Sequence, residues 1–411
     1  MEKREFDIVI WGASGFTGNL VCQYLVENYG VSEHSKLQWA IAGRNREKLE
    51  KVRNGLKIEH PKILQILTGD SFDLESLTKI TSNTKVILST VGPYLKYGLS
   101  LVEACVQTQT HYCDLTGEIP FIHQTMEKFH DSAVSSKVKI VHSCGFDSVP
   151  SDLGVLMLQN EAIKNQEKPL NKIRLYVKKI KGGVSGGTIA SMLELMRKSK
   201  DKSIRKILNN PYSLYPKGVP VGPKQPDLKK IGWDETIHKW VGPFIMSRSN
   251  SAIVRRTNAL LNFKYGNDFI YDEVSTYSIG WFSRFRAEIN RLGLGLFITL
   301  LYFRFTKCIL KNTILPKPGE GPSETSRANG LFILELIGNQ DGKKLKVTIS
   351  CNSDPGYSGT ALMIAESAIC LAQDKNLPDN YGILTPSTSM GNALVDRLRK
   401  AGMEFEYSVE D

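Results

Sequence analysis

A short strand that runs straight into three regularly spaced glycines, and from them into a helix, constrains this chain more than anything else in it. Phe6-Asp7-Ile8-Val9-Ile10-Trp11 is rich in β-branched and aromatic residues, as a buried strand is. Gly12-Ala13-Ser14-Gly15-Phe16-Thr17-Gly18 follows at once, and Leu20, Val21, Tyr24 and Leu25 then recur on one helical face. That context gives the glycine pattern its meaning. Gly12 permits a tight turn, Gly15 lets the backbone approach a pyrophosphate, and Gly18 lets the helix pack closely on the strand. The helix N-terminus offers free N–H groups and a partial positive charge to the phosphates. Ser14, Phe16 and Thr17 fill the same loop and are assigned to the same dinucleotide contact. The spacing GxxGxxG is a variant of GxGxxG, and a merely structural turn is the competing reading.

A second strand, Leu37–Ala42, ends in Gly43-Arg44-Asn45-Arg46. NAD-specific folds place an acidic residue near this point to bind the ribose 2′-hydroxyl. Here the residue is Arg44, whose guanidinium can pair bidentately with a 2′-phosphate, so NADP(H) is favoured and NAD(H) is the alternative. The bland alternative is that Arg44 or Arg46 only pairs with Glu47 or Glu50. Ile63–Leu67 reads as a third strand ending near Asp70, which is placed at the adenine. Lys85–Thr90 is a fourth, ending in Val91-Gly92-Pro93-Tyr94 at the carboxyl edge of the sheet, beside the nicotinamide ribose. His111–Asp114 and Lys139–His142 read as the fifth and sixth. Strands alternating with helices predict a mainly parallel sheet of Rossmann type.

At 411 residues the chain exceeds what one core usually supports. We expect a Rossmann domain over 1–155, an inserted α+β domain over 156–355, and a C-terminal return to the first domain over 356–411. Within the insertion, Leu331–Ile337 and Lys344–Cys351 form a predicted hairpin, and 209–250 reads as extended connections. A second glycine run, Gly182–Thr188, reads as a turn and helix cap or as a loop on the substrate side. Hydrophobic residues at 41% and charged residues at 23% exclude a disordered chain. The net charge of +11 suits anionic partners, either a phosphate-bearing cofactor or an acidic membrane surface. The basic residues are scattered and no nucleic-acid module is visible, so nucleic acid is not expected. The 7 cysteines show no CxxC spacing and the 7 histidines no HExxH, so neither a disulfide framework nor a metal is expected. No signal-peptide pattern opens the chain, and a cytoplasmic location is expected.

One stretch breaks the pattern. Leu292–Phe303 carries no charge and is flanked by Arg284, Arg286 and Arg291 before it and by Arg304, Lys307 and Lys311 after it. A spanning helix needs ~20 apolar residues, so this one is too short to cross a bilayer. Two readings stay open: a buried or partner-covered helix, or one that dips into a membrane or lipid-droplet surface with its basic flanks on anionic headgroups.

Taken in order, Gly12–Gly18, Ala42-Gly43-Arg44, Val91–Tyr94, Asp114–Glu118, Gly145–Asp152, Pro316–Ser323, Asp354–Tyr357 and Leu384-Thr385-Pro386 form a series. The set resembles the saccharopine dehydrogenase-like oxidoreductases, which include lipid-droplet-associated eukaryotic members and bacterial trans-acting enoyl reductases of glycolipid synthesis. The resemblance implies NAD(P)-linked redox chemistry on a lipidic or acyl substrate, and it raises the membrane reading of 292–303. Saccharopine cleavage does not follow from it, because fold analogy does not set a substrate. A homodimer is compatible with all of this. Hydride transfer also needs a proton donor near the strand ends. Tyr94, Asp114 and Asp147 are the candidates, with Tyr97 and Glu118 behind them. Because no YxxxK pair accompanies them, a non-catalytic NADP(H) sensor or surface scaffold is the competing class.

Overall fold

The computed structural model describes residues 4–410 apart from 167, 184–185, 227–229, 278–279, 281, 314, 317–319, 322 and 341. Parts of the second glycine run, of the Pro316–Ser323 motif and of the turn at Asp341 therefore lie outside the described residues. Two seven-stranded sheets form among the described residues.

The first sheet is parallel throughout. Its strands are β1 (Phe6–Trp11), β2 (Trp39–Gly43), β3 (Ile66–Thr68), β4 (Thr84–Ser89), β5 (His111–Asp114) and β6 (Lys139–Val141), joined by β13 (Gly382–Leu384) from the far end of the chain. Their order is β13-β6-β5-β4-β1-β2-β3, a doubly wound Rossmann arrangement with one added strand. Every residue of β1 is buried, which explains why its sequence is apolar on both faces rather than alternating. The third strand is shifted from its expected place: Pro61–Ile63 is a 3₁₀ turn because Pro61 donates no N–H to a ladder, and pairing begins at Ile66.

The helices of this half are α1 (Phe16–Tyr29), α2 (Arg46–Gly55), α3 (Leu74–Thr81), α4 (Tyr94–Tyr97), α5 (Leu99–Gln107) and α6 (Ile119–Ser135). Helix α7 (Val149–Gln166) leads out of it, and residue 155 lies inside this helix. A Cβ on Gly154 would lie 2.8 Å from Ile349 and Leu336, so α7 sits directly on the second sheet.

That sheet contains β7 (Lys172–Lys181), β8 (Gly232–Asp234), β9 (Lys239–Pro243), β10 (Ile270–Thr276), β11 (Leu331–Gln340), β12 (Lys343–Cys351) and β14 (Glu404–Glu410). It runs β14-β12-β11-β7-β10-β9-β8, antiparallel except for β7 against β10. The expected hairpin is β11–β12, paired from Phe332–Cys351 to Gln340–Lys343. The stretch 209–250, expected as connections only, carries the β8–β9 hairpin and the start of a helix. The helices of this second half are α8 (Gly186–Lys198), α9 (Lys202–Asn209), α10 (Ser247–Leu260), α11 (Ser283–Tyr302), α12 (Arg304–Thr313) and α13 (Glu324–Ala328).

The chain then returns. Helix α14 (Ser358–Gln373) is buried along almost its whole length, packed against α1 and against β1, β4 and β5. Its one carboxylate inside, Glu366, is held by the hydroxyls of Tyr24 at 2.8 Å and Tyr29 at 2.6 Å and by Arg397 at 3.2 Å. Helices α15 (Pro386–Ser389) and α16 (Asn392–Lys400) follow. The last strand, β14, does not return to the first sheet but pairs with β12 in the second.

Candidate active site

The glycine turn has the geometry its sequence promised. Gly12 has φ +95°, and a Cβ there would sit 2.5 Å from the Val91 side chain and 2.9 Å from Thr90 Oγ1. A Cβ on Gly18 would sit 2.2 Å from the Gly12 carbonyl oxygen, so no other residue lets α1 pack this closely on the turn. Gly15 caps α1 in an extended conformation, with no side chain on the helix end and no acid in its first turn. The N–H groups of Phe16, Thr17 and Gly18 have no protein partner among the described residues. Ser14 lies in the same turn. An anion in this cradle would meet unpaired donors and the positive end of a helix.

Arg44 is exposed at the end of β2 and makes no ion pair among the described residues. Its neighbour Arg46 is the one that pairs, with Glu50 at 3.1 Å, and Asn45 caps α2 by accepting from the Lys48 N–H. Asp70 follows β3, and its carboxylate accepts from the Phe72 N–H at 2.9 Å. Across the turn, Val91 packs against Gly12, and Gly92-Pro93 is a cis peptide. These residues converge on the carboxyl edge of the first sheet. The residues that fit an NADP-type dinucleotide are the cradle at Gly15–Gly18 and the unengaged Arg44 guanidinium at the end of β2.

Phe16 turns from the cradle toward the second half of the chain. Its ring meets Tyr357 edge-on at 5.1 Å, and the Arg327 guanidinium lies 5.8 Å away over it. Asp354 stands behind this contact, buried, accepting from the Gly183 N–H at 3.2 Å. The second glycine run thus lies close to the Asp354–Tyr357 motif, and a Cβ on Gly182 would collide with Asp354.

The three proton-donor candidates part company. Tyr94 is buried; its hydroxyl donates to the Ser89 carbonyl at 3.1 Å and accepts from the Leu115 N–H at 3.3 Å. Burial beside Asp114 pushes its pKa well up, which removes it further from acid–base work. Asp114 is also buried. Its oxygens accept from Tyr112 at 2.9 Å and from the N–H groups of Thr116 at 3.0 Å and Ser143 at 3.2 Å, and one meets His142 Nδ1 at 2.8 Å. His142 Nε2 in turn contacts Thr125 Oγ1 at 2.9 Å. The structure therefore places Tyr94 and Asp114 inside the first sheet's packing.

Asp147 differs. It lies in the loop between β6 and α7, and burial pushes its carboxyl up to about 7. A Cβ on Gly117 would be 3.5 Å from Asp147 Oδ2 and 3.9 Å from Ser249 Oγ, so first-sheet loop, α7 loop and α10 meet there. Glu118 holds this edge together by accepting from the Tyr94 N–H at 3.0 Å and the Leu95 N–H at 2.9 Å. Ser191 of α8 also reaches Glu118, and a Cβ on Gly92 would lie 3.0 Å from the Ser191 hydroxyl. Tyr97 stays on the rim, against Phe72.

Sequence reasoning missed the polar layer between the sheets. Ser148 donates to Asn250 at 3.1 Å, Asn250 donates to Glu273 at 2.9 Å, and Glu273 also accepts from Ser151 at 2.7 Å and Tyr271 at 2.8 Å. Burial raises Glu273 to about 7 and Asp152 to about 6. The one available signal was polar residues on an otherwise apolar period in α10, where Asn250, Arg255 and Asn258 are buried. No group of metal ligands is found among the described residues.

Comparison with known proteins gives a consistent result. The saccharopine dehydrogenase NADP-binding domain profile matches residues 8–141. A putative trans-acting enoyl reductase of Mycobacterium tuberculosis is 38% identical over 98% of this chain and 97% of its own. The trans-acting enoyl reductase of Mycobacterium leprae is 35% identical over 98% and 97%. Among solved structures, the L-Glu-forming saccharopine dehydrogenase of Saccharomyces cerevisiae matches 99% of this chain and 100% of its own, with TM-score 0.56 and 12% identity, a likeness of fold.

Proposed function

Because the chain belongs to the saccharopine dehydrogenase-like oxidoreductases that include the trans-acting enoyl reductases, and carries their NADP-binding domain, we propose that it reduces the carbon–carbon double bond of an α,β-unsaturated acyl group. The observation that carries this reading is the place of Asp147, at the junction of the Gly117 loop, the loop before α7 and α10, where burial also raises its carboxyl to about 7. NADPH held in the Gly12–Gly18 turn would supply a hydride to the β-carbon. Asp147, in its protonated form, would give a proton to the α-carbon, which completes the saturated acyl product. The free N–H groups of Phe16–Gly18 would hold the pyrophosphate, and Arg44 would select the 2′-phosphate. Glu118 is a positioning residue: its two backbone contacts fix the start of α4, directly after the Val91–Pro93 turn against which the nicotinamide end would lie.

The test is absorbance loss of NADPH with a 2-enoyl thioester, for the wild type and Asp147→Asn. NADPH oxidation that needs the double bond and falls in the variant supports the assignment. NADPH binding without any oxidation across saturated and unsaturated thioesters sinks it and favours the sensor reading.

A second observation bears on where the chain works. Helices α11 and α12 leave an apolar face uncovered: Phe285 is 62%, Leu296 60% and Phe305 76% exposed, with Ile289, Leu292 and Phe303 beside them. Leu301, at 2%, is the inward anchor. No helix among the described residues is long and apolar enough to cross a membrane. Arg284 and Arg286, exposed on the same helix, supply charge for anionic headgroups, so this face suits lying in a lipid surface.

A further inference from the structure

Beneath α11 lies a cavity of about 570 Å³, bounded by α10, β10, the end of α9 and the start of α6. It lies beside the junction of Gly117, Asp147 and Ser249, since Ile119 on its wall follows Glu118 and Ser251 on its wall is two residues from Ser249. Its size and mixed lining are those of a ligand site. Phe244, Ile245 and Ile298 make one side apolar, and Glu273 stands on the other.

Arg255 decides what it would take. The residue is only 7% exposed, and its guanidinium donates to two carbonyls, of Pro211 at 3.2 Å and Tyr271 at 3.1 Å. Its Nε has no partner, nor has Ser251 Oγ one turn away. No ion pair joins Arg255 to a carboxylate among the described residues. The nearby acids are engaged: Asp272 takes Arg174 bidentately at 2.8 and 2.7 Å, and Glu273 serves Ser151, Asn250 and Tyr271. A buried guanidinium without a counter-charge is costly, and an entering anion relieves that cost. We propose that this cavity binds an aliphatic chain bearing one carboxylate or phosphate, with the anionic group at Arg255 and the chain running out between Ile245 and Ile298. It rests on the acyl-directed reading above and adds to it a charged recognition point away from the reacting carbons.

The experiment is calorimetric titration of the full chain with dodecanoate, dodecyl phosphate and neutral dodecanol, all below their micelle thresholds, beside an NADPH titration. Variants Arg255→Gln and Ile298→Glu are run in parallel. The proposal expects one of the anions to bind at least tenfold tighter than dodecanol. Arg255→Gln should erase that preference, and Ile298→Glu should weaken both anions tenfold while NADPH affinity holds. Preference for dodecyl phosphate assigns a phosphate-bearing carrier, and preference for dodecanoate a free acid. Equal binding of all three ligands, or anion binding that neither variant changes, overturns it. If Arg255→Gln loses NADPH binding through misfolding, Ile298→Glu decides alone. Anion binding without NADPH binding would leave the cavity and sink the reductase reading; NADPH binding without anion binding does the reverse.

Discussion

Arg44→Ala should convert a preference for NADPH into near indifference between the two nicotinamide cofactors. The side chain is exposed and makes no ion pair among the described residues, so its removal breaks nothing inside the protein. Folding stability should change by no more than about 0.5 kcal/mol. What is lost is a charge-assisted contact with the 2′-phosphate, worth roughly 1.5–3 kcal/mol where the pair is shielded from water. At this exposed position the lower half of that range applies, about 1.5–2 kcal/mol, or a 10–30-fold weaker Kd at ~1.4 kcal/mol per decade. Arg46 limits compensation because it is committed to Glu50 at 3.1 Å. The assay is fluorescence titration with NADPH and with NADH in the same buffer, with ionic strength held fixed because exposed charges are screened. NADPH affinity should fall by that factor and NADH affinity should stay. An equal fall for both nucleotides would refute the 2′-phosphate assignment, and no fall for either would place the ribose elsewhere.

Four further outcomes follow from the same geometry. Enoyl reduction should be fullest below about pH 7, where Asp147 holds its proton, and should fall as pH rises through that value; Asp147→Asn should lose roughly 10²–10⁴ in kcat and flatten the profile, with NADPH affinity intact. The raised folded-state value also means that the Asp147 carboxyl costs stability as pH rises from its unfolded value toward 7, so Asp147→Asn should be the more denaturant-resistant chain above pH 7. Glu366→Ala removes the acceptor shared by the half-buried Tyr24 and Tyr29 hydroxyls and one of the two carboxylates on Arg397, which keeps Asp374, and urea denaturation should show a loss of about 1–3 kcal/mol. Replacing Phe285, Leu296 and Phe305 together by Ser should reduce sedimentation with anionic vesicles at least tenfold; undiminished sedimentation by a folded variant removes the lipid-surface reading.

The first half of the chain was legible because its signals are local. Gly12, Gly15 and Gly18 fall between one strand and the helix that follows it, so their spacing read in that context points to the cradle, and β1, β4 and β5 are short runs bounded by turn residues. The strand at Ile63–Leu67 was misplaced by a few residues because Pro61 tightens the chain before pairing starts. The catalytic candidates were ranked only by position near strand ends. Position could not separate Asp114, which is saturated by Tyr112, His142 and two backbone N–H groups, from Asp147, because His142 and Ser143, 28 and 29 residues away in the chain, are brought to it only by the sheet. The destination of β14 was equally hidden: Glu404–Glu410 alternates like many edge strands, and only the open side of β12 chooses its sheet. The apolar stretch at 292–303 read as either buried or surface-seeking, and the structure leaves most of it uncovered.

The burial of α14 governs how the protein must be made. By the time β6 has emerged from the ribosome, the first six strands of the first sheet are available to pair. Yet the face over β1, β4 and β5 lacks its cover until residue 373 has been synthesised. At ~5–20 residues per second that interval lasts roughly 10–50 s. Through it the nascent chain displays an apolar sheet surface that α1 alone does not shield, a template for chaperones or for aggregation. A premature stop anywhere before α14 would therefore yield not a smaller dinucleotide-binding domain but a sticky one, destined for degradation.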